Sequence, residues 1–416
     1  MAQKNESAQT TDVVRPLQGV RVLDLTHILA GPYCTMMLGD AGAEVIKIER
    51  PGKGETARQG GPWVTTKDGE KMALNCLRLL RNKKSVALDL QKPRGQEVFK
   101  ELVKVSDVVV ENFSPGTMKK LGLDYDVLRE VNPRIIYATI SGFGKLERLR
   151  GPYWKRPANN PSVQAMGGIM DITGDPDGPP TLVGVQIGDI VPGMFTCQGI
   201  LMALLARQLT GRGQQVDVAM YDSMVAMGEQ GIPTFQMTGA IMDRRGAGRA
   251  APYGCFKTKN GYASVAGLRN QERWAAMWRV AGREDMLTHP ELVDPNTRAS
   301  KWHSVIRPAL EEWAKDKTKE EVTDIFLSVE LSVGPVQNAK ELYECPHLRA
   351  RNMVITAEDP RLGPVSFAGS PIKLSDTPDL EPTVDSRVGA YTDEVLTSLL
   401  RYSKEKIEEL RAAGVL

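Results

Sequence analysis

Residues 17–48 read LQGVRVLDLTHILAGPYCTMMLGDAGAEVIKI, and the alternation within this stretch decides the architecture. Val20 to Leu25 is a short β-branched and aliphatic run, Tyr33 to Leu38 is a helical segment closed by Gly39, and Glu44 to Ile48 is a second apolar run. Strands joined through a helix lie parallel, because the crossover returns the chain to the same end of the sheet. The theme continues outward. Val86 to Leu90 is a strand, and Arg94 to Val105 carries Val98, Leu102 and Val105 on one helical face. Asp107 to Val110 follows as a strand, Asp124 to Val131 as a helix and Ile135 to Ile140 as a strand. An α/β fold with a mostly parallel sheet covered on both faces is predicted, with ligands bound at the carboxyl ends of its strands.

Further along, GGIMDITGDPDGPP at 167–180 is loop or turns, and a long apolar helix runs from Ile190 to about Leu209. Thr210-Gly211-Arg212-Gly213 stops it, Gln215 to Met220 is a strand and Tyr221 to Glu229 a helix. Sustained βα alternation is absent from 231–345, which also holds four of the six Trp. The expected division is a loose polar tail at 1–16, a large domain at 17–230, a smaller α+β domain at 231–345 and a C-terminal segment, 346–416, that returns to the large domain.

The 416 residues carry 53 Lys+Arg against 51 Asp+Glu, with 41% hydrophobic and 25% charged residues, which suits an ordinary globular chain rather than a disordered or fibrous one. A net charge of +2 with dispersed basic residues gives no field for nucleic acid. Five widely spaced Cys without a C-x-x-C point to reduced thiols, and the four His form no ligand-spaced pair, so no metal is expected. Ile200 to Ala206, the longest aliphatic run of the central helix, is too short to span a bilayer. These features predict a cytoplasmic protein with no membrane partner.

Cations recur at 50 and 53, at 81, 83 and 84, and at 119 and 120, all near strand ends, where they would converge on one rim and hold a phosphorylated ligand. A solvated rim explains them equally. Thr26 to Pro32 occupies the place of a dinucleotide-binding glycine turn and Glu49 that of a ribose-binding acid, but the glycines are missing. Cys34 lies inside an apolar helix and reads as packed. Asp189, after Gly188 and before the long helix, reads as an N-cap or a nucleophile. As an N-cap it would lose one donor, since Pro192 would stand at the third helical position without an N–H. The helix dipole favours its charge, and such a carboxylate suits attack on an activated acyl group.

In order along the chain stand PLQGVRVLDLTHILAGP, LGDAGAEVIKIERPG, NKKSVALDL, VVVENFSPG, QAMGG with TGDPDGPP, the pair Gly188-Asp189, TGRGQQVDVAMYDS and GSPIKLSDTP. From Pro16 to Leu416 this series resembles the class III CoA-transferases, the family of formyl-CoA and carnitine CoA-transferases. The resemblance implies a Rossmann-like large domain, ring-shaped subunits interlocked as a dimer, and an active site completed by the partner's small domain. It places the nucleophile at Asp189, which would pass through aspartyl anhydrides and an aspartyl-CoA thioester with no permanent cofactor, coenzyme A thioester being a co-substrate. Coenzyme A contacts carry over to His27, Leu29, Ala30, Arg50, Leu88, Asp89, Asn112, Phe113, Lys120 and Met220.

The departures are informative. A channel lysine and tyrosine correspond to Pro157 and Asn159, with Arg156 or Lys155 as substitutes, and a polarising glutamine corresponds to Leu29, which leaves backbone N–H groups as oxyanion donors. The lid GGGGQ of oxalate-using members is absent. Related α-methylacyl-CoA racemases use a histidine where Asn159 stands, so transfer is favoured, with His27 as an alternative proton carrier. Arg244, Arg245 and Arg249, together with Asn159, are candidate substrate contacts: the guanidinium forks suit a second carboxylate, and the expected reaction moves CoA from succinyl-CoA to a malate-like dicarboxylic acid. The remaining alternative is a non-catalytic partner of a paralogous subunit, in a heterodimer rather than a homodimer.

Overall fold

A computed structural model describes residues 14–242, 244, 252–266 and 270–416. Most of the expected N-terminal tail, and Arg245 and Arg249, lie outside the described residues. The chain divides into two compact units, one of residues 1–168, 183–227 and 346–416, the other of 169–182 and 228–345. The Gly- and Pro-rich segment therefore groups mostly with the second unit.

The first unit is built on six strands: β1 (Arg21–Asp24), β2 (Glu44–Glu49), β3 (Lys83–Ala87), β4 (Val108–Glu111), β5 (Ile136–Ser141) and β6 (Gln215–Ala219). Their spatial order is β3-β2-β1-β4-β5-β6 and every pairing is parallel. The chain adds strands to one side of β1, then restarts on the other side with β4, so a crevice opens beyond the carboxyl ends of β1 and β4. Val22 pairs with Val45 on one flank and Val108 on the other. Such β-branched residues suit a strand buried on both faces.

Helices α1 (Ala30–Asp40), α2 (Pro93–Lys104), α3 (Tyr125–Val131), α4 (Asn160–Met166) and α5 (Ile187–Thr210) lie in the crossovers, and α6 (Met220–Met227) follows the last strand. Phe99 and Leu102 of α2 pack with Leu23, Ile46, Val86 and Val109 of the sheet. Helices Thr392–Leu400 and Lys404–Ala412 add Leu396, Ile407 and Leu410 to that same core. Truncating Phe99, which is fully buried, would remove about 3–5 kcal/mol.

Three elements begin earlier than their sequence suggests, the first being α1, which starts at Ala30, not Tyr33, and runs through Gly39 to Asp40. Strand β3 starts at Lys83, not Val86, because the buried Lys83 ammonium is neutralised by Asp24 at 3.0 Å, which lets a charged residue occupy a strand interior. Helix α5 starts at Ile187, not Ile190. Its cap comes from a distant segment: Gly188 N–H donates to Asn160 Oδ1 at 2.9 Å, while the preceding Gln186 makes no side-chain cap. At 24 residues α5 is long and apolar enough to cross a membrane by length and composition, beyond what Ile200 to Ala206 alone implies. Here it is the crossover preceding β6, burying Thr196, Ile200, Ala203 and Arg207. Gly193 lets it approach α1, since a Cβ there would meet the Ala30 carbonyl oxygen at 2.5 Å.

The second unit is α+β. Its antiparallel sheet has Gly261–Ala266 between Tyr253–Thr258 and Val333–Pro335. Trp274 and Trp278 meet edge-on at 5.6 Å inside a core shared with Phe256, Leu310 and Phe326.

Candidate active site

The loop after β1 rests on a buried ionic floor. Asp24 is fully buried and accepts from Lys83 Nζ (3.0 Å), the Thr35 hydroxyl (2.6 Å) and the Thr26 backbone N–H (2.9 Å), with Lys47 Nζ at 3.4 Å. Burial alone would raise this carboxyl. Lys47 and Lys83, with the two threonine hydroxyls, instead hold it far below the usual carboxylate range. Lys47 also donates to the Thr26 carbonyl, and Lys83 to Pro32 O at 2.8 Å, so the floor fixes both ends of the turn.

The turn is pinned from above as well. Asn112, just beyond β4, accepts from His27 N–H at 2.8 Å and donates to His27 O at 2.9 Å. Ile28 is held at φ 69°, a left-handed conformation that a β-branched residue rarely adopts, and its N–H donates to the buried Glu55 carboxylate at 3.0 Å. Burial would raise Glu55, but contact with His27, the charge of Lys47 and the N–H groups of Ile28 and Ala57 bring it down to about 2. Sequence reading missed Glu55, whose only signal was a carboxylate in a Gly-rich turn after β2.

A cavity of about 300 Å³ opens at this crevice, lined by His27, Arg50, Asn112 and Phe113 among the expected coenzyme A contacts, and by Lys53, Thr56 and Gln59. The His27 and Phe113 rings stand 5.1 Å apart. Among the described residues Arg50 and Lys53 are exposed and in no ion pair, so two cations face a cavity without a carboxylate partner. Backbone and side-chain donors, two cations and an aromatic face suit a phosphorylated nucleotide.

The other expected contacts do not line that cavity. Leu29, Ala30 and Leu88 are buried, so these positions offer backbone rather than side chain. Asp89 accepts from Gln91 N–H at 3.0 Å, Lys120 is exposed at the end of the short helix Thr117–Lys120, and Met220 is buried at the start of α6. The cations at and just before the start of β3 are not free to hold a phosphorylated ligand, and only Lys83 reaches the loop after β1, as part of its buried floor. Lys83 is buried against Asp24, Lys84 bonds Glu394 at 2.8 Å, and Arg81 grips Asp40 at 2.9 and 2.7 Å. Glu49 is likewise consumed, by Arg58 (2.7 and 2.8 Å) and the Ser85 hydroxyl (2.6 Å), and no ribose could reach it. Burial pushes the Cys34 thiol well up, in keeping with a packed residue.

Asp189 sits in the first turn of α5 rather than capping it, with its N–H donating to Gln186 O at 3.0 Å. Pro192 falls deeper in the helix and bears on no cap. Gly188 is buried beside it, where a Cβ would meet Val163 at 2.7 Å and Asn160 at 2.9 Å. Gln164 Nε2 donates to Asn160 Oδ1 at 2.8 Å and Gln164 Oε1 accepts from Val183 N–H at 3.1 Å, so α4 fixes the entry to α5. The Asp189 carboxylate has no hydrogen-bond partner among the described residues. Burial pushes it up to about 6, with Arg78 opposing.

Two of the expected substrate contacts are otherwise engaged. Asn159 caps α4, accepting from Ser162 N–H at 3.0 Å. Arg244 spends its guanidinium on the carbonyls of Asp171 (3.0 Å), Asp175 (3.1 Å) and Gly178 (3.0 Å), so it closes a loop and presents no free fork to a carboxylate. Arg156 and Lys155 lie over the Tyr153 and Trp154 rings at 3.8 and 4.9 Å.

The sequence matches the model of CoA-transferase family III over residues 17–386. It is 35% identical over 404 residues to the succinyl-CoA–D-citramalate CoA-transferase of Chloroflexus aurantiacus, covering 97% of this chain and 98% of the relative. It is 38% identical over 364 residues to the succinyl-CoA:mesaconate CoA-transferase of Haloarcula marismortui, covering 87% and 90%. The crystal structure of a CAIB/BAIF family protein from Brucella suis superposes with a TM-score of 0.83 at 30% identity, covering 92% of this chain and 99% of that one. A parallel sheet with an unpartnered pair of cations at its switch point and motifs in family order leads to one assignment: the chain belongs to CoA-transferase family III and is a CoA-transferase.

Proposed function

We propose that the protein moves coenzyme A from succinyl-CoA to a small dicarboxylic acid with Asp189 as the covalent nucleophile. The observation that carries this is the state of Asp189: a half-buried carboxylate without a hydrogen-bond partner among the described residues, while buried acids of the first unit such as Asp24, Glu49, Glu111 and Asp359 are ion-paired or hydrogen-bonded. An Asp189 oxygen attacks the thioester carbonyl and the C–S bond breaks, giving an acyl-aspartyl anhydride and the CoA thiolate. The thiolate then attacks the aspartyl carbonyl and expels the donor acid, leaving an aspartyl-CoA thioester. Attack by the acceptor carboxylate releases the thiolate and forms a second anhydride, whose acyl carbon the thiolate takes to restore Asp189. Every step exchanges one anion for another, so no proton transfer is required.

Coenzyme A phosphates lie against Arg50 and Lys53 in this reading, with Lys120 at the outer edge and the adenine near Phe113, Leu88 and Asp89; the pantetheine arm passes His27, Leu29, Ala30 and Met220 toward Asp189. The transferase reading is preferred to the racemase because the Asn159 oxygen is already engaged as a cap. The protein works in the cytoplasm as an interlocked dimer of two-domain subunits, each site completed by the partner. Support comes from α5, which leaves Met202, Leu205 and Leu209 67%, 63% and 91% exposed, and from helix Gly231–Thr238, which buries no residue. The names of the citramalate and mesaconate relatives support dicarboxylic substrates. The test is exchange of labelled succinate into succinyl-CoA by the wild type and by Asp189→Asn. Exchange that depends on Asp189 is expected; exchange that survives the substitution overturns the reading.

A further inference from the structure

Arg78 follows the short helix Leu74–Leu77 and is exposed. Its Nε donates to Asn75 O at 3.2 Å, and among the described residues no carboxylate pairs with the guanidinium. Arg81, three residues on, is tied to Asp40 by two bonds. Arg78 lines a cavity of about 580 Å³ together with Leu29, Tyr33, Ile190 and Met194. Ile190 adjoins Asp189 in the first turn of α5, and Leu29 ends the strained loop, so a guanidinium with only its Nε engaged shares a mostly apolar wall with the neighbours of the nucleophile. No ion pair joins Arg78 to Asp189, yet its charge opposes the effect of burial on that carboxyl. Arg78 and Asp189 are therefore not in contact, and it is the cavity lined by Arg78 and by Ile190, the residue after Asp189, that offers space for a ligand group.

We propose that Arg78 receives the distal carboxylate of a dicarboxylic acyl group whose reacting carbonyl is at Asp189, and thereby selects dicarboxylic over monocarboxylic acids. The inference rests on Asp189 being the acylated residue. An acyl group ending in a carboxylate brings a second negative charge toward an anionic nucleophile, an unfavourable approach unless a cation meets it. The planar fork of arginine binds a carboxylate by two parallel bonds. A monocarboxylic acyl group has nothing to offer this guanidinium.

The test compares wild type, Arg78→Met and Arg78→Lys with succinyl-CoA as donor and two acceptors of equal carbon number, glutarate and valerate. Arg78→Met is expected to lower kcat/KM for glutarate about 10- to 100-fold while changing valerate less than about threefold, and Arg78→Lys to restore part of the preference. Donor use is scored separately by hydroxylamine capture from succinyl-CoA and from butyryl-CoA. An unchanged glutarate-to-valerate ratio overturns the proposal, as does an equal loss with both acids, which would place Arg78 on the reacting carboxylate common to them. Failure of the wild type to acylate Asp189 with any donor would instead remove the parent reading, so the two failures are distinguishable.

Discussion

Two aspartates of the same unit mark two kinds of region. Asp24 lies beneath the loop after β1, fully buried, ringed by two lysines and two threonines that hold its carboxyl far below the ordinary range. Asp189 lies at the start of α5, half-buried, with burial pushing it up to about 6. Both environments are partly dry, and the difference is the supply of partners. A buried carboxylate with every lone pair engaged holds backbone in place, whereas one left without partners is raised in energy and can lower it by forming a bond.

The contrast is broken most severely at Asp189. Asp189→Asn is expected to lower the exchange rate at least about 1,000-fold, because the amide cannot form the anhydride, and initial-rate assays with succinyl-CoA check it. A stable, correctly folded variant with undiminished exchange would put the two aspartates in one class. Asp24→Asn should do the opposite. It leaves the buried Lys47 and Lys83 without their charge partner and is expected to cost about 3–5 kcal/mol, read as a lower urea midpoint. In the wild type that stabilisation is present at neutral pH and is lost as pH falls through and below the usual carboxylate range, since the folded-state affinity of Asp24 for protons is depressed.

Asp189 carries the reverse linkage. Its folded-state affinity for a proton is raised, so the folded protein is destabilised as pH rises from the ordinary 3.8 through about 6, by at most about 3 kcal/mol and less where water reaches the group. Asp189→Asn should therefore show a Tm equal to or above that of the wild type at pH 7, with the advantage vanishing below pH 4. The same titration predicts an exchange rate that rises with pH to a plateau above about 6, where the nucleophile is ionised. Smaller effects belong to the cavity between β1 and β4. Arg50→Ala and Lys53→Ala are each expected to raise KM for the acyl-CoA about 5- to 10-fold with kcat little changed, and the penalty should shrink in high salt.

The parallel sheet was legible because strands buried on both faces carry β-branched runs, as in Val22, Val45 and Val108, and because helical faces such as Val98 and Leu102 repeat at fixed spacing. Where chemistry rather than hydropathy sets the boundary, the sequence misleads. Lys83 and Lys84 look like a turn, and only the distant Asp24 makes the first of them a strand residue. The start of α5 is set by Asn160, 28 residues before Gly188, so no local cap signals it. At the site, the motifs lead to His27, Arg50, Asn112 and Phe113, which do share a cavity, and to Asp189. Arg244 shows the limit of that approach. A Gly-rich arginine segment resembles an anion site, but the Arg244 fork is filled by three carbonyls of residues 171–178, a partnership that sequence spacing cannot show. Glu55 was invisible for the same reason: its importance lies in the N–H of Ile28, which no residue pattern records.

The central claim is that Asp189 is transiently acylated, and the direct measurement is a peptide mass spectrum after incubation with succinyl-CoA and quenching in hydroxylamine. The account predicts a hydroxamate on the peptide that carries Asp189, dependent on the acyl-CoA and lost in Asp189→Asn. An unmodified peptide under conditions in which the enzyme is exchanging CoA between acids would contradict it.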